Sequence, residues 1–370
     1  MWELTEEQRR AIAAAERRAL GLRAEARARI DASLRAASVD EAGYREAVAR
    51  LREQGRVALA FHPERLSRSG RTVAEGLLAD GAYRTQFETG LSSGSTSAFA
   101  GGERDEWERR LFDGAYHRPD AVLSDRPRYG ALFLVAHPDG PAPRFGSCYF
   151  VLRPEVSRRC TFTLLGSQDE RSRESIGTLE VLEPTMAAVL RHVEEEPAPF
   201  GVPGLTVRGL VAAMRAGLPG APRGVTDDRL GRALDTFVEA QVHGPVDLAR
   251  DVEALVVDAS FRGSPVADTL AEIASTYGFS LAWHPGFTLA AEAVPETFRD
   301  YPTRKLAERI SASVIDAPAI GAASNDFVLN PDAWRSFGSP SEIHTCFRRL
   351  WHALVLLGAP SDPRPEPTSG

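Results

Sequence analysis

Strand-like runs in this chain come in clumps, and that grouping constrains the fold more than any other feature. Residues 129–136 (YGALFLVA), 146–152 (GSCYFVL) and 160–165 (CTFTLL) follow one another with only turn signals between them, such as His137-Pro138-Asp139-Gly140. Each run is aromatic and β-branched, as a pleated, half-buried surface favours. A second group comprises 236–244 (TFVEAQVHG), 252–258 (VEALVVD), 280–284 (SLAWH) and 287–294 (FTLAAEAV). The last two are expected to form a hairpin around His284-Pro285-Gly286, and 57–61 (VALAF) is a short buried strand ahead of both groups.

Helical patterns are segregated from these strands. They cover 4–37, where Thr5 and Gln8 have capping-box spacing, Asp40 to about Gly55, Thr72 to Gly81, and 103–112 with Trp107. Further helices are expected over most of 182–236, broken at 197–204 and 218–224, then at 265–276, near 302–315 and at 340–357. Clumped rather than alternating elements predict an α+β fold instead of a doubly wound parallel sheet. The expected organisation is a helical extension over 1–54, an α+β core with a cleft over 55–317, a C-terminal helical segment over 318–358 and a disordered Pro/Ser/Gly-rich tail over 359–370.

Composition removes several classes of function. The 370 residues carry 44 Lys+Arg against 51 Asp+Glu, a net charge of −7, so no global basic field collects nucleic acid. A local basic patch stays open, because Lys305 is the single Lys and the other cations are all Arg. Cys148, Cys160 and Cys346 form no CxxC pair, which argues against structural zinc and fits a reducing cytosol. MWELTEEQRR lacks the apolar core of a signal peptide, and runs such as 131–136 are too short to span a bilayer. The expectation is a cytoplasmic protein with no membrane partner. Neither GxGxxG after a strand nor GxxxxGK[ST] is present.

Four places hold residues suited to chemistry. His62, His137 and His284 each follow an apolar run and precede Pro; they are three strand-ending turns, or a converging set. Glu88 leads into a loop bearing Ser92, Ser93, Ser95, Thr96 and Ser97, hydroxyls that suit a polar ligand. Arg144, at a strand entry, suits phosphate or carboxylate. In an alternating strand Glu239, Gln241 and His243 share one face, with Val238, Ala240 and Val242 toward the core. That polar face is either solvated or the site of a general base or ribose ligand.

FHPER (61–65), YRTQFETGLSSG (83–94), GGERDEWERRLFDGAYH (101–117), RPRYGALFL (126–134), PRFGSCYFVL (143–152), FVEAQVHGPVDLARDVEALVVDASF (237–261) and FRDYP (298–302) resemble a bacterial family known only as a domain of unknown function. A second resemblance is to ADP-ribosyltransferase domains of phage-head and toxin proteins. It implies a split sheet with added helices, NAD as the substrate, no metal, and an acceptor of unknown kind, protein or nucleic acid. The same resemblance matches His62 to an early NAD-contacting residue, Ser95-Thr96-Ser97 to a pocket element, and Glu239 with Gln241 to a late catalytic pair flanked by His243. Arg65, Glu88, Ser92, Tyr129 and Arg144 complete the expected NAD-binding set. The resembling enzymes carry a carboxylate where this chain has Gln241. Glu239 is therefore expected to act, and Gln241→Glu to keep or raise activity. Two other readings compete: a metal-dependent hydrolase built on His62, His243, His284 and Glu88, and a non-catalytic nucleotide- or peptide-binding protein.

Overall fold

The computed structural model describes residues 3–67, 69–91, 98–119, 121–220 and 231–361. Its strands, in chain order, are β1 (Val57–Phe61), β2 (Ala82–Tyr83), β3 (Arg128–Leu132), β4 (Cys148–Leu152), β5 (Cys160–Leu164) and β6 (Gly177–Thr178). They continue with β7 (Val238–Val242), β8 (Val246–Asp247), β9 (Val252–Asp258), β10 (Ser280–His284), β11 (Thr288–Ala290) and β12 (Val314–Asp316). Eight of them build one mixed sheet in the order β10-β9-β4-β1-β3-β7-β5-β6, and β2–β8 and β11–β12 form two small ladders. The architecture is α+β with a helical N-terminus.

Helices start where the local chemistry says they should. Thr5 and Thr72 close capping boxes with Gln8 and Glu75, opening the Glu6–Ala36 and Val73–Asp80 helices. Asp40 caps Glu41–Gln54. One face of the sheet, through Val57, Leu59, Leu132, Phe150, Ala240 and Val242, shares the main core with Ala26, Ile30 and Leu34 of the first helix and with Leu350 and Trp351 of the last. The opposite face carries small side chains at its centre, Ala58, Ala60 and Ala131, which leave room above the sheet.

The join between β1 and β3 is narrow. β1 pairs with β4 over four residues, from Ala58↔Val151 to Phe61↔Cys148, but with β3 only at Val57↔Leu132 and Ala58↔Ala131. Beyond Ala58 the two strands part. Glycine lets the neighbouring backbones close on β1: a Cβ on Gly130 would come 2.2 Å from the Ala58 carbonyl oxygen, and one on Gly146 2.4 Å from the Phe61 amide nitrogen. β1 is thus gripped between two backbones that no side chain could approach so closely.

Several expectations are corrected. SLAWH and FTLAAEAV do not form a hairpin: β10 pairs in parallel with β9, from Ser280↔Ala254 to His284↔Asp258, and the Pro265–Tyr277 helix makes the crossover. The His284-Pro285-Gly286 turn instead leads the chain out of the sheet to β11, which pairs with β12. The helical stretch expected to 236 ends at Ala216, and residues 221–230 lie outside the described set. YGALFLVA leaves the sheet after Leu132. The helix near 302–315 stops at Ile310, and a helix, Ala317–Leu329, follows β12 in the C-terminal stretch expected to be helical. The start of the expected disordered tail is held in place, since Ala359 exchanges both backbone hydrogen bonds with Thr288; residues 362–370 lie outside the described set.

Candidate functional site

Where β1 and β3 part, a cavity of about 260 Å³ opens. Ala58, Ala60 and Ala131 form its floor, and His62, Arg65, Tyr129 and Glu239 stand around it. The Glu103–Leu111 helix closes one side. Its Arg104 guanidinium lies 4.5 Å from the Tyr129 ring centre and 5.2 Å from that of Trp107. Nε and Nη1 of Arg104 are buried without a hydrogen-bond partner among the described residues. One turn further, Glu108 accepts from the Tyr129 hydroxyl at 2.7 Å and from Arg126 at 2.7 Å. Arg126 also pairs with Asp105 at 2.7 Å, so two acids of one helix face clamp one guanidinium. Burial raises the Glu108 pKa, and Arg126 opposes the shift.

Glu239 stands on the cavity side of β7 and is 5% exposed. Its Oε1 accepts from the Ser167 amide at 3.0 Å and from Gln241 Nε2 at 2.9 Å; among the described residues Oε2 accepts nothing. Burial raises its pKa, while Gln241, Arg104 and Ser167 pull it back. Behind Glu239 the strand face is sealed, not solvated: Gln241 and His243 are fully buried. Thr161 Oγ1 donates to Gln241 Oε1 at 2.7 Å and lies 3.1 Å from His243 Nε2, whose Nδ1 meets the Tyr116 hydroxyl.

The proton positions follow. Thr161 has one hydrogen and gives it to Gln241, so it accepts from His243, and Nε2 carries the imidazole proton. Nδ1 then accepts from Tyr116. Burial, then Arg159 and Arg128, lower the His243 pKa to about 3, so the ring is neutral. Tyr116, His243, Thr161 and Gln241 therefore form a chain of hydrogen bonds whose donors all point toward the Glu239 carboxylate.

His62 follows β1 and turns Nδ1 toward Ser147 Oγ at 3.4 Å and Glu64 Oε1 at 3.6 Å. Its ring meets Trp351 edge-on at 4.9 Å, and burial holds its pKa well below the ordinary imidazole range. Arg65 lines the cavity with no hydrogen-bonded acid among the described residues. Glu88 also lines it, but its carboxylate accepts from the Thr85 amide at 2.8 Å in a capping box, 3.8 Å from Arg128.

Of the residues singled out in the sequence, the fold therefore gathers His62, Arg65, Glu88, Tyr129 and Glu239 around one cavity. Gln241 and His243 lie behind it, as the chain that holds Glu239. Arg144 does not line it; its neighbours Pro143 and Phe145 do, while its guanidinium pairs with Asp235 at 2.7 Å. Ser92, Ser93, Ser95, Thr96 and Ser97 lie outside the described residues. Arg104 and Glu108 were not anticipated. Their one signal was the spacing of Arg104, Trp107 and Glu108 on a short amphipathic helix.

The histidine cluster of the metal-hydrolase reading does not form. His284 donates from Nε2 to the Ser147 carbonyl and accepts at Nδ1 from Gly286 N. His137 is occupied in the same way, by Gly231 O and Asp139 N. Among the described residues no group of three His, Cys, Asp or Glu is placed to hold a metal ion. Nor is any described helix long and apolar enough to cross a membrane.

Fold and cavity together define an α+β protein with a ligand-sized cleft set into the middle of its sheet. The chain belongs to the family described as Protein of unknown function (DUF3626), whose model matches residues 56–357. No curated protein matches it.

Proposed function

We propose that the cavity binds NAD and that the protein is an ADP-ribosyltransferase-like enzyme, passing ADP-ribose to an acceptor or to water. One observation carries the reading: the Glu239 carboxylate is fixed through Oε1 by the Ser167 amide and Gln241 on the cavity side of β7, in a cleft that His62 also lines. Arg65 and Arg104, neither ion-paired among the described residues, supply positive charge for a pyrophosphate. His62, neutral, offers its cavity-side nitrogen to a ribose hydroxyl, and the Tyr129 ring offers a face for stacking.

In the reaction the bond between ribose C1′ and the nicotinamide nitrogen breaks, and nicotinamide leaves with the electron pair. Positive charge grows on the ribose, and the Glu239 carboxylate stabilises it. The acceptor oxygen or nitrogen then bonds to C1′ and loses its proton. Gln241 acts through Glu239 rather than on the substrate.

Nicotinamide release from NAD by the purified protein tests this. Losing one preorganised charge costs about 3–4 kcal/mol, so Glu239→Gln should lower turnover on the order of a hundredfold or more with an unchanged circular dichroism spectrum. Wild-type turnover that survives in Glu239→Gln rejects the role of Glu239. NAD binding without any turnover replaces the reading with that of a nucleotide-binding protein.

A further inference from the structure

FRDYP, singled out in the sequence, lies outside the account so far, and the fold brings it to Arg144 of PRFGSCYF. Phe298 and Tyr301 pair across a tight turn whose central residues, Arg299 and Asp300, both take positive φ, 51° and 68°. For arginine this conformation is strained, and strain of this kind concentrates at functional positions. The turn presents Arg299 to Asp235, which it shares with Arg144. Arg349 of the Pro340–Leu357 helix reaches the same place, against the Tyr301 ring, and Arg348 precedes it; both also lower the pKa of Arg144 and of the buried His352.

Arg144 and Arg299 thus pair with Asp235, Arg349 lies near Asp235 and Asp300, and Arg348 faces Tyr301 and Glu103, in a chain whose net charge is −7. Arg348 and Arg349 make no ion pair among the described residues, and Nε of Arg144, Arg348 and Arg349 is buried without a partner. Half-exposed rings are interleaved with the cations: Arg299 lies 5.3 Å from the Phe298 ring centre, Arg144 5.3 Å from that of Phe145, and Arg349 5.9 Å from that of Tyr301. Unsatisfied guanidinium donors demand an anion. Aromatic faces set among them distinguish a strand of stacked bases from an acidic peptide, which has no planes to stack.

We infer that Arg144, Arg299, Arg348 and Arg349 form a docking surface for the phosphodiester backbone of single-stranded nucleic acid. Because Pro143 and Phe145, on either side of Arg144, line the cavity, a strand docked here runs beside it. The surface does not depend on the NAD reading, and its failure would leave that reading standing.

Fluorescence anisotropy of a labelled single strand of about twelve nucleotides, titrated with the full chain at several salt concentrations, tests it. Three to four phosphate contacts predict that log affinity falls with log salt at a slope of about 2–3. The pair Arg348→Ala with Arg349→Ala should weaken binding about tenfold or more at low salt and lower the slope by about 1.4. Arg299→Ala, in an exposed turn, should weaken binding in the same sense and controls for damage to the helix. No binding at low salt, or equal binding by both variants, overturns the proposal. Polyglutamate that displaces the strand at equal charge concentration overturns it in favour of an acidic polypeptide.

Discussion

Glu64 offers the sharpest test of the buried electrostatics. It sits two residues after His62, under the Ala317–Leu329 helix, and its backbone carbonyl accepts from Asn325. A Cβ on Gly321 of that helix would come 2.1 Å from Glu64 Cγ. Its Oε2 is buried with no partner. Burial, far more than the opposing Arg65, lifts its carboxyl from 4.5 to about 7. The folded protein thus holds this proton more tightly than the unfolded chain does, so stability is full below about pH 4.5 and is lost as pH rises to about 7. A shift of about 2.5 units at about 1.36 kcal/mol each gives a loss of about 3 kcal/mol. Glu64→Gln keeps the shape and removes the titration. Urea unfolding of both proteins at several pH values between 4.5 and 8 should show the wild type losing about 3 kcal/mol relative to the variant as pH rises. Taking the difference cancels the titrating groups that do not interact with Glu64. A difference that stays flat, or that moves in favour of the wild type, refutes the burial argument.

The remaining predictions concern the sheet and the chain behind Glu239. Gln241→Glu, expected from the sequence to keep or raise activity, would set a second carboxylate against Glu239 Oε1, where Gln241 Nε2 now donates at 2.9 Å and Arg104 already offsets the Glu239 charge. It should cost about 3 kcal/mol near pH 8 and less toward pH 5, where the new acid is protonated and can donate, as thermal melts across pH would record. Tyr116→Phe leaves His243 Nδ1 buried without a donor and should lower unfolding free energy by about 1–3 kcal/mol in urea. Gly130→Ala drives a methyl into the Ala58 carbonyl and should destabilise by about 1–3 kcal/mol or more, read as a lower melting temperature.

Local signals in this sequence were legible and distant ones were not. Thr5 with Gln8 and Thr72 with Glu75 declare their helices because the capping partners lie three residues apart. Thr85 with Glu88 carries the same signature, yet Glu88 reads as a ligand residue until its carboxylate is seen on the Thr85 amide. Strand alternation correctly puts Glu239, Gln241 and His243 on one face. Whether that face is wet depends on Tyr116, more than a hundred residues away. The false hairpin has the same origin: His284-Pro285-Gly286 is a real turn, but β10 finds its partner across a helix and β11 finds its own after another. Helical spacing alone did not single out Arg104, because its importance comes from Tyr129, on a different element.

The direction of the hydrogen bonds behind Glu239 has a consequence for how that residue exchanges protons. A conducting wire needs links that can each take up a proton on one side and release it on the other. Here the amide of Gln241 interrupts the line, and His243, with its pKa near 3, does not take up a second proton at neutral pH. Glu239 is insulated from the protein interior. Any proton it gains or gives up crosses the cavity, so a ligand that fills the cavity fixes the charge of Glu239 for as long as it stays bound.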